Sequence, residues 1–384
     1  MKWLQNYKQH FMTTVLAYAY VGLLAVIALN TSFLNPVSKA MGDFSFMDIY
    51  YQIQLESGDE EQNDEITIVD MSALFSRREL ANALRAIQEE HPKYTGVDMV
   101  FEGLREDSVG DEMICAVAAE FDKICWSHRL LDYENDSIGY TTDIRSFFAE
   151  PLEVTEGFTN MQRDLYGSMK RMVTLGRNNN GKLCYSFIAQ VVNGAEGKDF
   201  IPLEDKDLQI NFTPTHFNVV MPDSIHEYAD LIKDHIVLFG TMTDENDMHY
   251  TPLGKMAGVE LLAYAGQTLM YRTDIIELPG WLMVILSFLI VMVSEAGLFS
   301  YAEFAKARKN RWARFVMSST LTVTYLTLFW MIFLVWVSYM MFYEFNLNLN
   351  LGWALSAMAF RVLARNFYKE CVAFINEKKK SDES

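Results

Sequence analysis

Four apolar runs without a charged residue divide the chain, one near the N-terminus and three near the C-terminus. They cover residues 11–38, 278–294, 315–343 and 345–360. A helix needs roughly 20 apolar residues to cross the hydrocarbon of a bilayer, so the first and third runs are long enough. The second is long enough if Glu295 lies at its interfacial end, and the fourth is the shortest. The pattern predicts a membrane protein with one large water-exposed domain.

Basic residues flank these runs and set the expected orientation. Lysines precede the first run, five basic residues crowd the connector at 301–314, and the stretch from Arg361 onwards is basic. Basic flanks stay on the cytoplasmic side of a membrane. We therefore expect four membrane helices, with both termini cytoplasmic and residues 40–278 on the other side of the membrane. The fourth helix would span Leu347–Ala364, and an interfacial helix beginning near Leu351 is the alternative.

Glu295 is the carboxylate that follows the second run. A charged group within a membrane helix is costly and is usually paired. We expect Glu295 either to pair with Arg361 or the basic connector, or to lie at the membrane interface in contact with water.

The net charge of −18 is concentrated in residues 40–278, and the remaining residues are net positive. Such an acidic surface repels a phosphate backbone, which excludes DNA and RNA as partners. A cation, a cationic peptide or a neutral small molecule stays open as a partner, and acidity that only keeps the domain soluble is the simpler interpretation. The expected partners are the lipid bilayer and an unidentified cytoplasmic or envelope protein, and a homo-oligomer stays open.

Short β-branched runs alternate with amphipathic helices in the water-exposed domain. The predicted strands are 66–71, 96–101, 123–127, 208–212 and 235–240, and the predicted helices begin near Ser76 and cover 111–121 and 258–271. Ser76 with Glu79 forms a capping box at the start of the first helix. This order is typical of a parallel sheet with helices packed on it. The predicted fold class is α/β, an extracytoplasmic mixed or parallel sheet with packed helices, plus four transmembrane helices.

The middle of the domain has weaker patterns. We expect Glu56–Glu65 to be a charged, exposed loop and Lys182–Val192 to begin a helix. Strands at 157–162 and 171–175 would flank a turn at Asp164–Gly167. The stretch Gly176–Gly181 (GRNNNG) is typical of a hairpin turn.

Several segments carry a family resemblance. They are ITIVDM (66–71), GVDMVFEG (96–103), GFTNMQRDLYGSMKRMV (157–173), LQINF (208–212) and the closing segment HIVLFGTMTDENDMHYTPLGKMAGVELLAYAGQTLM (235–270). Together they resemble the type-two CHASE domain, the extracellular sensor module of bacterial cyclases and histidine kinases. The closing segment is the most specific, because an aspartate–x–histidine and a Thr-Pro lead into a Gly-Val-Glu helix.

The resemblance covers residues 40–364, since one helix before the sensor and three after it are also the family arrangement. It implies a cytoplasmic stub and helix at 1–39, a sensor at 40–278, three helices at 279–364 and a tail at 365–384. Family members usually continue into a cyclase, kinase or phosphodiesterase domain. Only about 20 residues follow the fourth run, which is too few for such a domain. We therefore expect the output to belong to a separate protein.

Acidic residues gather at the carboxyl ends of the predicted strands, and one histidine follows them. They are Asp70, Asp98, Glu102, Asp244, Asp247 and His249. Ligands of parallel sheets bind beyond these ends, so the side chains are candidates for one ligand-binding crevice. Oxygen ligands with one histidine suit a divalent cation or an amine. Helix capping and loop closure by the same carboxylates is the structural alternative. Asp247 and His249 lie in the most specific motif and are the strongest candidates.

No catalytic motif accompanies these residues. The sequence has no nucleophile elbow, no metalloprotease helix and no glycine loop for phosphate. We therefore expect no enzymatic activity and no cofactor, with a divalent cation left open.

Two functions from different classes remain. The first is a sensory receptor that relays a signal through its membrane helices to a separate partner. The second is a structural or assembly subunit of an envelope complex. The receptor needs a cytoplasmic surface, and the basic connector supplies one in Arg308, Lys309 and Arg311, with anionic lipid as the alternative partner.

The predicted topology is directly testable. A reporter that is active only in the cytoplasm should be silent when it is fused at residue 150. It should be active after Lys309 and after Ser384, because these points follow two and four crossings, counted from the cytoplasmic N-terminus. A silent fusion after Ser384 would mean that the fourth run does not cross.

Overall fold

The computed structural model describes residues 2–30, 45–58, 60–160 and 169–382. It divides into two compact units, which we call the α/β unit (residues 47–275) and the helical unit (residues 1–46 and 276–384). The predicted turn at Asp164–Gly167 lies outside the described residues.

The α/β unit alternates strands and helices along most of its length. Its strands are β1 (Glu61–Asp70), β2 (Tyr94–Val97), β3 (Ile124–Asn135), β4 (Gly139–Ile144), β5 (Thr155–Phe158), β6 (Met172–Thr174), β7 (Gly176–Asn179), β8 (Lys182–Tyr185), β9 (Asp207–Gln209), β10 (Thr215–Val220), β11 (Ile236–Gly240), β12 (Met248–Thr251) and β13 (Gly254–Ala257). Its helices are α2 (Phe46–Ser57), α3 (Arg77–Glu89), α4 (Ser108–Glu120), α5 (Ala149–Leu152), α6 (Phe187–Glu196) and α7 (Gly258–Tyr271).

A central parallel sheet confirms the predicted α/β class. Its strands lie in the order β10–β1–β11–β2–β3, and β5 adds to β3 in parallel. Ile66 pairs with Ile236 and Ile236 pairs with Tyr94, which fixes the register of the three middle strands. Both faces of β2, β11 and the second half of β1 are buried, so these segments lack the alternation of apolar and polar residues that a one-sided sheet shows.

The sheet is mixed because β3 continues well beyond the predicted end at Ser127. Its second half pairs antiparallel with β4, and β7 and β8 extend the sheet as a hairpin. The hairpin confirms the turn predicted at Gly176–Gly181. It also corrects the prediction for Lys182–Val192, because residues 182–185 form a strand and the helix begins only at Phe187, after the cap residue Ser186.

The prediction that Glu56–Glu65 is a loop was also wrong in its second half. Residues 61–65 begin β1, and Glu61 pairs with Thr215 of β10. Their side chains are mostly exposed, which explains why the polar sequence resembled a loop. Backbone pairing, rather than side-chain burial, holds this segment in the sheet.

The apolar core lies between the sheet and the helix pair α3–α4. The predicted capping box is present, because the Ser76 hydroxyl accepts a hydrogen bond from the Glu79 N–H while the Glu79 carboxylate accepts one from the Ser76 N–H. Arg77 forms a buried ion pair with Asp111 and thereby joins the two helices. Breaking such a pair costs more than losing an exposed one, because it leaves a buried charge.

The helical unit contains α1 (Lys2–Asn30), β14 (Ile276–Glu277), α8 (Gly280–Lys306), α9 (Arg311–Ser318), α10 (Thr320–Phe345), β15 (Leu347–Asn348) and α11 (Gly352–Asp382). Three described helices are long and apolar enough to cross a membrane, Tyr7–Ile27, Gly280–Lys306 and Thr320–Phe345. Only residues 352–360 of the fourth run lie in α11, because residues 347–348 form β15 and the helix begins at Gly352 rather than at the predicted Leu347. This helix does not meet that criterion. Arg361 and Arg365 interrupt its apolar sequence. The prediction of four membrane-spanning helices therefore exceeds by one the number that length and composition support among the described residues.

Glu295 does not lie in contact with water. It is 0% exposed, and its carboxylate accepts hydrogen bonds from Arg361 at 3.2 Å and from the Arg365 Nε at 2.7 Å. Arg361 also donates to the Thr327 hydroxyl at 3.1 Å. The predicted pairing with Arg361 is therefore correct, and it joins α8, α10 and α11 through one cluster of polar side chains.

Replacing Glu295 with glutamine should strongly destabilise the helical unit. The substitution leaves the Arg361 charge buried without its counter-charge, a loss of about 3–5 kcal/mol for such pairs. Glu303→Gln is the control, because Glu303 forms an exposed pair with Lys306 at 3.7 Å, which is worth about 0–1 kcal/mol. Both variants are heated in detergent, and size-exclusion chromatography then measures the temperature at which half of the monodisperse peak is lost. Equal midpoints for the two variants would contradict the buried pairing.

Candidate functional site

A cavity of about 620 Å³ lies at the carboxyl ends of the parallel strands. Four strands bring residues to it just beyond their ends: Met71 after β1, Thr241 after β11, Asp98 after β2 and Thr159 after β5. Parallel strands end at one edge of a sheet, so residues that are far apart in sequence meet there. The helix α7 closes one side through Gly258 and Leu262.

Asp98 is the central carboxylate of this cavity. Its backbone N–H donates to the Phe239 carbonyl at 2.9 Å, which fixes the residue beside β11. Burial raises the pKa of the Asp98 carboxyl to about 7, and the negative charge of Asp247 adds to the increase. The positive charges of Arg129 and His249 oppose it. No described residue donates a hydrogen bond to this carboxylate, which leaves it available to a ligand.

Asp247 enters the cavity from the short 3-10 turn Glu245–Asp247, and His249 enters it from β12, the first strand of the hairpin that precedes α7. The Asp247 Oδ1 lies 3.3 Å from the His249 Nε2. The Asp247 carboxylate also lies against Gly258, where an added Cβ would come within 2.4 Å of its Oδ2. A larger residue at the first position of α7 would displace the Asp247 carboxylate from its present place. The carboxylate gains from the partial positive charge at the start of this helix.

Two basic residues of the cavity were missed by sequence reasoning. Arg129 lies on β3, and Lys170 is held by a backbone hydrogen bond from its N–H to the Tyr250 carbonyl at 2.7 Å. The strand was expected to end at Ser127, but it continues, and residues two apart on a strand share one face. Ser127 and Arg129 thus reach the same cavity. The alternation of buried and polar positions beyond Ser127 was the available signal.

The other sequence-predicted residues have different positions. Asp244 lines the cavity, but its carboxylate accepts hydrogen bonds from the backbone and side chain of Asn246. Asp70 is buried and accepts hydrogen bonds from the N–H groups of Ser72 and Met242, which joins the ends of β1 and β11. Glu102 has an exposed side chain and is not among the cavity residues. The structure therefore brings together Asp98, Asp244, Asp247 and His249.

The acidic side chains do not gather as metal ligands. Within the described ranges, no group of three or more His, Cys, Asp or Glu side chains has a geometry that could hold a metal ion. The arrangement instead combines carboxylates with basic and hydroxyl groups around one polar cavity. Such a set of groups can bind and orient a small polar molecule.

The raised pKa of Asp98 predicts a pH dependence of stability. Its folded pKa of about 7 lies above the value of about 4 for an unfolded chain. The folded state therefore holds the proton more tightly, and the free energy of unfolding falls as the pH rises from about 4 to about 7. Asp98→Asn removes this contribution and should raise the melting temperature relative to wild type at pH 8 but not at pH 4.

Thermal unfolding at several pH values checks this expectation. Part of the slope should survive in the variant, because burial also raises the pKa of Glu156 to about 7. The exposed Asp230→Asn is the control and should keep the wild-type slope. Parallel curves for Asp98→Asn and wild type would contradict the assignment.

Comparison with known proteins agrees with this architecture. The model of the CHASE2 domain matches residues 21–298, which is more than half of the chain. No curated protein matches the chain, and no solved structure does. The matched range includes the last third of α1, the whole cavity and most of α8. The chain therefore belongs to the CHASE2 family, a family of extracellular sensory domains.

Proposed function

We propose that this protein is a receptor of a bacterial inner membrane whose periplasmic domain binds a small polar molecule in the strand-end cavity. Binding is relayed through the membrane helices to a separate cytoplasmic partner, without catalysis by the receptor itself. The observation that carries the proposal is Asp98, a carboxylate that faces the cavity and receives no hydrogen bond from the described residues. Polar groups that are removed from bulk water usually have a partner, and a ligand would supply it.

The proposed topology has four crossings and both termini in the cytoplasm. Ala354, Ala357 and Met358 of α11 are buried against apolar residues of α1 and α8. Small residues at a helix contact are typical of packing within a membrane. Pairing of Arg361 with Glu295 offsets the charge that makes this helix too polar to qualify alone. These contacts support a fourth crossing by the first half of α11.

The covalent path of the chain supports a relay. Beyond Ile275 the chain enters β14, which pairs in parallel with β15 between α10 and α11. The Asn348 side chain also donates to the Glu277 carboxylate at 3.1 Å. A displacement of the segment that leaves the α/β unit would therefore act on two further helices besides α8. Rigid-body movements of this kind are a common form of signal transfer.

The proposed output surface is the connector between α8 and α9. Arg308, Lys309 and Arg311 are exposed there, and the Arg308 guanidinium lies over the Phe304 ring at 3.9 Å from its centroid. This concentration of positive charge suits an acidic protein surface. Anionic lipid is the competing partner for the same charges.

One observation favours the second candidate, an assembly subunit. Phe75 and Leu104 are 86% and 76% exposed and border one shallow depression. Exposed apolar side chains that lie together are typical of protein contacts. This pair lies outside the strand-end cavity, so the two functions can be tested separately.

A thermal-shift screen of the full-length protein in detergent tests the receptor function. Small polar metabolites of every charge class are tested, and at least one should raise the melting temperature. A ligand at about 100 times its dissociation constant adds roughly 2.7 kcal/mol to the stability. Val100→Trp, which fills the cavity, should remove the shift, whereas Val109→Trp on the exposed surface of α4 should keep it. A shift that survives Val100→Trp, or no shift at all, would exclude this cavity as the sensing site.

The same preparation tests the relay. A cytoplasmic protein should co-purify with the wild type, and replacing Arg308, Lys309 and Arg311 with glutamine should abolish this co-purification. The control replaces three exposed lysines of the α/β unit, Lys123, Lys233 and Lys255. If the same protein still co-purified with the connector variant, the connector would not be the output surface and would serve only as a topology signal.

A further inference from the structure

We propose that the strand-end cavity binds a zwitterion, a small molecule that carries an ammonium group and a carboxylate together. Asp98 and Asp247 would face the ammonium group, and Arg129 would face the carboxylate. This inference rests on the proposed function, because it names the class of ligand that the same cavity takes.

The cavity contains one carboxylate, Asp98, and one guanidinium, Arg129, that are not combined into an ion pair. Arg129 is close enough to Asp98 to lower its pKa, yet no ion pair within 4 Å joins them among the described residues. Elsewhere in this unit, arginines bond directly to carboxylates, as in the pairs Arg171–Asp48 at 2.6 Å and Arg177–Asp207 at 2.5 Å. The separation at the cavity is therefore a local feature. The Asp98 carboxylate therefore remains as an acceptor and the Arg129 guanidinium as a donor, and a ligand with both charges can satisfy the two groups.

A ligand with a single charge would satisfy only part of this arrangement. An amine would leave Arg129 without a partner as it displaced water, and an acid would lie close to Asp98 and Asp247. Each mismatch costs free energy, because a polar group that loses water needs another partner. A metal ion is a poorer fit, since the described residues contain no group of three or more suitable ligands. The zwitterion satisfies both sets of side chains.

The two carboxylate residues Asp98 and Asp247 are held in position before a ligand binds. The backbone hydrogen bond to Phe239 fixes Asp98, and contact with His249 and Gly258 fixes Asp247. Hydroxyl groups of Ser127 and Thr159 line the same cavity and add hydrogen-bonding capacity. A volume of about 620 Å³ accommodates a molecule of the size of an amino acid or a short betaine. Fixed groups bind more tightly because less conformational freedom is lost.

Calorimetry on the full-length protein in lipid nanodiscs tests the proposal. The probes are the common α-amino acids and betaines, each compared with the amine that lacks the carboxylate and the acid that lacks the amine. At least one zwitterion should bind. Its two analogues should each bind about tenfold more weakly or worse, because each lacks one charge-assisted contact.

Two cavity variants separate the two ends of the ligand. Asp98→Asn should weaken binding of the zwitterion and of the matching amine by about tenfold. Arg129→Gln should weaken binding of the zwitterion and of the matching acid to a similar extent, with little effect on the amine. Asp230→Asn, at an exposed position, and Arg85→Gln, at a half-buried position of α3, do not line the cavity and are the matched controls, which should bind as wild type. Melting temperatures confirm that every variant is folded.

The outcomes distinguish this inference from the proposed function. If only amines or only acids bound, with no gain in affinity from the second charge, the inference of a zwitterionic ligand would be wrong, and the proposed receptor function would still stand. Equal binding of the zwitterion to wild type and Arg129→Gln would also overturn it. If no small molecule of any charge class bound to the cavity, the proposed function itself would fail.

Discussion

Parallel pairing of β1, β11, β2 and β3 is the constraint on which the candidate site depends. Because these strands run in one direction, the residues that follow them are delivered to one edge of the sheet. Asp98 and Thr241 are far apart in sequence but leave neighbouring strands there. The sheet is buried on both faces, so its apolar strands fix this register and cannot slip without exposing the core.

Sequence patterns predicted the parts of the fold that depend on burial. The continuous apolar strands around Ile66 and Ile236, the capping box at Ser76 and the helix Gly258–Tyr271 all follow from local rules, and the structure contains them. Segments held by backbone pairing were harder to predict. Residues 61–65 carry exposed polar side chains in a strand, because their partner β10 comes from about 150 residues later.

The site was predictable to a similar extent. Asp98, Asp247 and His249 were found because strand ends and a specific motif mark them. Arg129 was missed because its position on the cavity depends on how far β3 continues, and the partner strand decides that length. The carboxylate of Asp70 looked equivalent to that of Asp98 in the sequence. Only the structure shows that backbone N–H groups already satisfy it.

The buried carboxylates Glu295 and Asp98 have opposite surroundings, and this difference bears on the proposed function. In the helical unit, Glu295 is shared by Arg361 and Arg365, so its charge is matched within the protein and serves to join helices. In the cavity of the α/β unit, Asp98 and Arg129 influence one another but do not pair. Satisfied charges favour one fixed arrangement, whereas separated charges retain the capacity to bind. The proposed receptor requires both properties, and Glu295 and Asp98 each supply one of them.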